Sequence, residues 1–383
     1  MKGHVEIAGG GISGLACAMM LAGEGWTIRV HERAREVREG GTGLYIKNNA
    51  AEVLEEYGLF DRLLSHGSRL ERAQRIDHAG RIMQERSLAG QARVHVFERQ
   101  MLMEILRDAA QKAGAEIVTG STVIGADPAG ELHFEDGSRR RADLVIAADG
   151  ARSRVRDALN ISASYEPLPT LVNRYLVPSH KLPLEPIMRE HWSGRYRIGT
   201  APCGQDLSYV YQVYPEWDKS ASVLPNNVAI WSKAFPCLRT EIELLSQSSV
   251  IQHRYSVVRC PRWSKGRVAI TGDAAHGLPP ALGQGVGLVL MNARALAIAL
   301  EGNRPVEDAL GAWESAVRFI ADNAQRWALR YDFLTRCWPE PLWFLRPAII
   351  WAFRSIPSLG RRMRIADQGL KLVPKELLTG SCP

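Results

Sequence analysis

Several absences narrow what this chain can be. No apolar run reaches the roughly 20 residues that a membrane-spanning helix needs, and Met1 leads straight into strand-like residues without a basic, then apolar, leader. A cytoplasmic location is expected. The six cysteines, Cys17, Cys203, Cys237, Cys260, Cys337 and Cys382, are scattered, with no C-x-x-C pair and no Cys/His zinc spacing. That pattern argues against a redox disulfide and a bound metal, and leaves reduced, mostly buried thiols. Basic clustering is also sparse. The net charge is +7, but the longest basic run is Arg139, Arg140 and Arg141, a solvated hairpin flank after Asp136-Gly137. With no recognition motif beside it, the surplus suits small anions such as nucleotide phosphates rather than nucleic acid. Internal repeats and low-complexity segments are missing too.

What remains is an ordinary globular composition. The 383 residues are 46% hydrophobic and 23% charged, enough for a large core and two connected domains. Residues 5–34 (VEIAGGGISGLACAMMLAGEGWTIRVHERA) read as strand, glycine turn, helix and second parallel strand. Helical spacing follows at 49–57 and 98–113, two short strands within 73–86, a hairpin at Asp136-Gly137, and the buried strand of LVIAADG. Between 165 and 265 prolines become frequent, and DLSYVYQVY and NVAIWSKAF read as strands of an inserted antiparallel sheet. The α/β style resumes at Gly266. The expected division is a discontinuous nucleotide-binding domain (1–72, 96–164 and 266–330), a β-sheet substrate domain (73–95 and 165–265) and a C-terminal helical cap (331–383). Arg346, Pro347 and Pro357 cut the aromatic-rich stretch 338–364 into pieces too short to cross a bilayer, though peripheral membrane contact or a dimer surface is open to it. A monomer or homodimer is expected.

Gly9, Gly11 and Gly14 form G-x-G-x-x-G. Gly9 permits the tight turn, Gly11 the approach of a pyrophosphate, and Gly14 close packing of helix on strand. Glu32, at the end of the second strand, can accept hydrogen bonds from ribose hydroxyls. NAD and FAD satisfy this motif equally well. The second motif, RVAITGDAAHGLPPALGQGVGLVLMNA, gives a strand ending in Gly272-Asp273, a proline loop, and Gly283, Gly285 and Gly287 at the head of a helix. Asp273 can bind a polyhydroxylated chain such as ribityl, and a bare helix start can face an anion, such as the pyrimidine edge of a reduced flavin.

With GGGISG and Glu32, LVIAADGARSRVR and ITGDAAHGLPPALGQG in this order, the chain resembles the single-component FAD-dependent aromatic hydroxylases related to p-hydroxybenzoate hydroxylase. AGGG and GQGVG look most like the branch that contains 2-methyl-3-hydroxypyridine-5-carboxylate oxygenase. The resemblance implies an α/β fold: a Rossmann-like, glutathione-reductase-type FAD-binding domain with an inserted antiparallel β-sheet domain and a C-terminal helical segment. It implies tightly bound, non-covalent FAD, transient NAD(P)H, and O2, with hydroxylation of an aromatic or heteroaromatic ring through a flavin C4a-hydroperoxide. FAD contacts are implied at Gly9, Gly11, Gly14, Glu32, Arg33, Gly43 of GTGLYIKNNA, Arg99, Asp149, Gly150, Gly272, Asp273, Pro280, Gly283, Gly285, Val286 and Gly287. Met291-Asn292 stands where the family has Glu-Asp.

A single glycine fingerprint and no cysteine pair exclude a glutathione-reductase-like disulfide enzyme. Other flavin chemistry on the scaffold (Baeyer–Villiger oxygenation, epoxidation or dehydrogenation), a nicotinamide-only dehydrogenase and a non-catalytic flavin sensor remain alternatives. Pro279, Pro280 and Ala281 are expected to wall the flavin's reactive edge. Tyr209 and Tyr211, two apart, share one strand face. Tyr209 and Arg197 are the substrate candidates, the tyrosine for a ring hydroxyl and the arginine for a bidentate carboxylate. Tyr45 and His191 are weaker candidates, and His276 is expected to be structural.

Overall fold

The computed structural model describes residues 2–37, 41–88, 90, 93–302, 304–337, 339–373, 376 and 378. The first structural unit is the expected β-α-β. Strand His4–Ala8 pairs in parallel with Thr27–Glu32 on one side and Leu144–Ala147 on the other. Val268–Ile270 and Glu116–Thr119 extend this sheet, and the two-residue strand Ser264–Lys265 closes one edge antiparallel. Val5, Ile7, Val30, Leu144, Val145 and Ile146 are buried, as strands covered on both faces require. Helix Ile12–Gly23 covers one face and packs against helices Arg99–Lys112 and Gly285–Ala299. Every strand of the parallel run therefore delivers its carboxyl end, Ala8, Glu32, Thr119, Ala147 and Ile270, to the same edge, where ligands of such sheets bind.

The second large sheet has seven strands in the order Ile251–Arg259, Ser164–Pro178, Leu207–Pro215, Tyr196–Cys203, Ile187–Ser193, Arg72–Asp77 and Ile82–Ser87. All neighbours are antiparallel except Ile187–Ser193 with Arg72–Asp77. One face looks toward the parallel sheet. The other is covered by helices Val228–Ala234 and Arg239–Leu245, which corrects the strand expected at NVAIWSKAF. Trp231, Phe235, Leu238, Ile242 and Leu245 recur at three- and four-residue intervals and are buried against Tyr175, Ile198 and Tyr214 of the sheet. The Asn227 side chain accepts from the Ile230 N–H and caps the first of these helices. The alternation suggested by the segment's short apolar run was weaker than its helical period.

A 31-residue helix, Val306–Arg336, packs against helix Gly285–Ala299 and reaches the chamber face of the seven-stranded sheet through Tyr331 and Asp332, followed by Glu340–Leu345, Arg346–Ser355, Pro357–Met363 and Ile365–Leu372. Among the described residues no helix is long and apolar enough to cross a membrane. The described cysteines are free thiols, and most are buried, as expected: Cys17, Cys203 and Cys260 are buried, whereas Cys237 and Cys337 are exposed. Cys382 lies outside the described residues.

Candidate active site

Two cavities open where the sheets meet. The first, of about 410 Å³, is lined by Gly9, Gly11, Glu32, Arg33, Asp149 and Gly150 among others. The second, of about 340 Å³, includes Gly11, Gly43, Arg99, Gly150, Asp273, Pro280, Ala281, Gly283, Gly285 and Val286 in its walls. Gly11, Ala148 and Gly150 line both, so the cavities abut at the glycine turn.

The three glycines of the turn do three different things. Gly9 has φ +102°, and a side chain there would strike the Ala148 carbonyl at 2.4 Å. A Cβ at Gly14 would lie 1.9 Å from the Gly9 carbonyl, so helix and strand touch only because it is absent. Gly11 is different. Its φ of −75° suits any residue, and nothing lies within 4 Å of its missing Cβ. Protein packing does not explain this glycine, and the open space at its missing Cβ leaves room for a ligand to approach the backbone. Glu32 is fixed at the cavity rim, accepting from Gly10 N–H and Ala34 N–H at 2.9 Å each, with lone pairs left for ribose hydroxyls. Asp149 Oδ2 accepts from Val155 N–H, while its buried Oδ1 has no protein partner. Burial pushes the Asp149 pKa up, against the hydrogen bonds it receives.

Asp273 follows Gly272, whose φ of +63° turns the chain at the strand exit with Ser13 packed against it. Gly272 itself lines neither cavity. The Asp273 side chain is exposed, but to the second cavity. Surrounding protein raises its pKa by desolvation, opposed by the charge of Arg99. Arg99 lines the same cavity at the start of its helix. Gly283 adopts φ +60°, and Gly285 has open space at its missing Cβ. Gly287 requires a correction: a Cβ there would meet the Asn49 side chain at 2.3 Å, so it is a packing glycine that lines neither cavity. Pro280 and Ala281 face the cavity, whereas Pro279 is buried behind them. The proline loop is held from below, Lys47 Nζ donating to Leu282 O at 2.6 Å and Gln284 Nε2 to Asp367 Oδ1 at 2.6 Å.

The far wall is the seven-stranded sheet. Tyr209 lies flat over Gly43, whose Cβ would sit 2.3 Å from the ring, so this glycine makes room for the tyrosine as well as for a ligand. Strand register places Arg174, Tyr211, Gly199, Glu190 and Arg75 in one row across five strands. Gly199 is the gap in that row. A Cβ there would fall 2.0 Å from Tyr211 Cζ, so the phenol crosses the neighbouring strand and donates to Glu190 Oε1 at 3.1 Å. Arg197 does line the cavity, but its guanidinium already faces Glu190 at 3.4 Å and Asp332 at 3.9 Å. An open fork for a substrate carboxylate is therefore not what this residue provides. Arg174 contacts the Tyr255 hydroxyl, and its buried Nε has no partner. Tyr45 lines the cavity with its hydroxyl buried and unpartnered.

The two histidine candidates lie off this path. His191 is buried and lines neither cavity; His276 is buried, with Nε2 2.8 Å from Asn292 Nδ2. Asn292, at the position where the family has an acid, thus serves the fold. Burial lowers the His276 pKa to about 4. The folded protein keeps this imidazole neutral while the unfolded chain protonates near pH 6.5. Its stabilising contribution is therefore complete above pH 6.5 and falls by about 1.4 kcal/mol per pH unit down to pH 4. Urea unfolding from pH 7 to 4 should show a shallower loss in His276→Gln; an unchanged slope would contradict the assignment.

Sequence reasoning missed Arg156, whose Nη1 donates to Ala151 O and Ala274 O at 3.0 Å each and ties the two acid-bearing loops together. It missed Arg174, Glu190 and Asp332 as well, since strand register and a distant helix bring them to the cavity.

Residues 2–304 match the family model described as FAD binding domain. A 2-heptyl-3-hydroxy-4(1H)-quinolone synthase of Mycobacteroides abscessus is 36% identical over 338 residues, covering 86% of this chain and 90% of that protein. The 6-hydroxynicotinate 3-monooxygenase of Pseudomonas fluorescens is 26% identical over 324 residues, 78% of this chain and 82% of that one. Among solved structures, the tetrameric form of 2-methyl-3-hydroxypyridine-5-carboxylic acid oxygenase superposes with a TM-score of 0.84 at 29% identity, covering 95% of this chain and 96% of that one.

Proposed function

The chain belongs to the FAD binding domain family and is an FAD-dependent monooxygenase of aromatic rings, and on that premise we propose that its substrate is an uncharged N-heteroaromatic of the 2-alkyl-4(1H)-quinolone kind, hydroxylated on the ring. The observation that carries this reading is the pairing of Arg197 with Glu190 and Asp332. It leaves Arg197 without an open guanidinium fork for a ring carboxylate. The buried, unpartnered Nε–H of Arg174 can meet a ring carbonyl instead. The quinolone synthase relative supports the same ring class.

In this proposal residues 1–72, 96–164 and 266–330 hold the cofactor, 73–95 and 165–265 form the substrate chamber, and 331–383 form the C-terminal helical cap, whose Asp367 braces the cofactor loop through Gln284. Glu32 accepts from the adenosine ribose, with Arg33 beside it. The N-terminal end of helix Ile12–Gly23 and Arg99 face the pyrophosphate, and Asp273 takes the ribityl hydroxyls. Gly283, Gly285 and Val286 leave the start of helix Gly285–Ala299 open toward the pyrimidine edge. FAD held by these residues would supply the redox chemistry, two electrons from NAD(P)H allowing one oxygen atom of O2 to reach the ring while the other leaves as water. The protein's own share is orientation and exclusion of water. Pro280 and Ala281 form one wall; Tyr45, Tyr209 and Tyr211 form the opposite one.

The test is NAD(P)H consumption by the holoenzyme in heavy-isotope O2. A 2-alkyl-4(1H)-quinolone should accelerate it at least tenfold and yield a product carrying one labelled oxygen. Stimulation by 6-hydroxynicotinate or benzoates alone would overturn the substrate class.

A further inference from the structure

Tyr211 has a single hydroxyl proton, and the structure shows where it goes. The hydroxyl donates to Glu190 Oε1 at 3.1 Å. Glu190 also receives Tyr331 OH on Oε2 at 3.3 Å and Arg197 Nη1 on Oε1 at 3.4 Å. Burial opposes the Glu190 charge, but Arg197 and Arg75, with the hydrogen bond from Tyr211, outweigh it and hold the carboxyl below its ordinary range. An ionised carboxylate accepts and cannot donate. Gly199 keeps the phenol in this orientation, because a side chain there would occupy the space of the ring.

We propose that Tyr211 is a specificity-determining residue that acts as a hydrogen-bond acceptor toward the substrate, selecting rings that present an N–H to the chamber. With its proton committed to Glu190, the phenol oxygen offers lone pairs alone to the cavity it lines. A ring N–H meets a matching acceptor. A ring oxygen at the same position sets lone pair against lone pair in a water-poor chamber, with no rotamer of the hydroxyl that relieves it without abandoning Glu190. The inference rests on the quinolone reading and sharpens it: the tautomer recognised is the one protonated on nitrogen.

The holoenzyme can be titrated with a 2-alkyl-4(1H)-quinolone and with the chromone of the same shape, in which oxygen replaces N–H, following the flavin absorption. Wild-type protein is expected to bind the quinolone at least tenfold more tightly, and Tyr211→Phe to bring the two within about threefold. Equal binding of both rings by the wild type would overturn the acceptor role while leaving the quinolone class intact. Full discrimination retained in Tyr211→Phe would overturn it too. If neither ring binds or stimulates NAD(P)H consumption while another ring class does, the substrate reading falls and this inference falls with it.

Discussion

Asp273→Ala is expected to leave the purified protein largely free of flavin. The carboxylate sits at the carboxyl end of an interior strand, faces the second cavity, and makes no hydrogen bond to protein among the described residues. Surrounding protein makes its charge costly, and Arg99 is the counter-charge that acts on it. A costly, unbonded acid at this place is explained by a ligand that donates to it. Hydrogen bonds to a charged acceptor contribute about 1.5–3 kcal/mol each, so the loss should weaken FAD binding about 10- to 150-fold. Because the side chain does little for the protein's own packing, the apoprotein should keep its melting temperature to within a few degrees. Flavin absorbance per chain after gel filtration reads the first effect and calorimetry the second. FAD content equal to the wild type would remove Asp273 from the site.

Gly11→Ala separates a glycine kept for a ligand from one kept for the fold. The backbone at Gly11 is extended, and its missing Cβ points into open space shared by both cavities. Alanine should therefore cost the apoprotein no more than about 1 kcal/mol, chiefly through its poorer fit at the helix N-cap. FAD affinity should fall at least a hundredfold, because the methyl group takes the space through which a pyrophosphate reaches the backbone. Gly14→Ala is the contrasting case: its methyl would sit 1.9 Å from the Gly9 carbonyl, so this variant should fail to fold normally with or without FAD. If Gly11→Ala binds FAD like the wild type, the two cavities are not joined by a cofactor at this turn.

How much of this was legible in the sequence follows from how local each signal is. The turn glycines, Glu32 and Asp273 act within a few residues of the strand ends that carry them, so composition and spacing reveal them. The row Arg174, Tyr211, Gly199 and Glu190 depends on the register of strands separated by tens of residues, which no short motif encodes. Arg197 illustrates the cost of lacking that register. As a sequence feature it is an arginine on a chamber strand; in the fold it is bracketed by Glu190 from the next strand and Asp332 from the long helix. Gly287 looked like its neighbours Gly283 and Gly285, yet two residues beyond Gly285 along the helix it is rotated roughly 200° about the axis and points at Asn49 instead of the cavity. The segment 228–234 misled for another reason: a short apolar run fits both periods, and the sheet face that Trp231 and Phe235 cover decides between them.

The central claim is that one molecule spans both cavities, adenosine in the first and isoalloxazine in the second. Competition between the halves of that molecule tests it most directly. FAD is titrated into the apoprotein alone, then with AMP, then with FMN, and finally FMN is titrated in the presence of saturating AMP. The expected result is that AMP and FMN each weaken FAD binding but do not compete with one another. AMP or FMN leaving the FAD titration unmoved would contradict a single cofactor bridging the turn at Gly11.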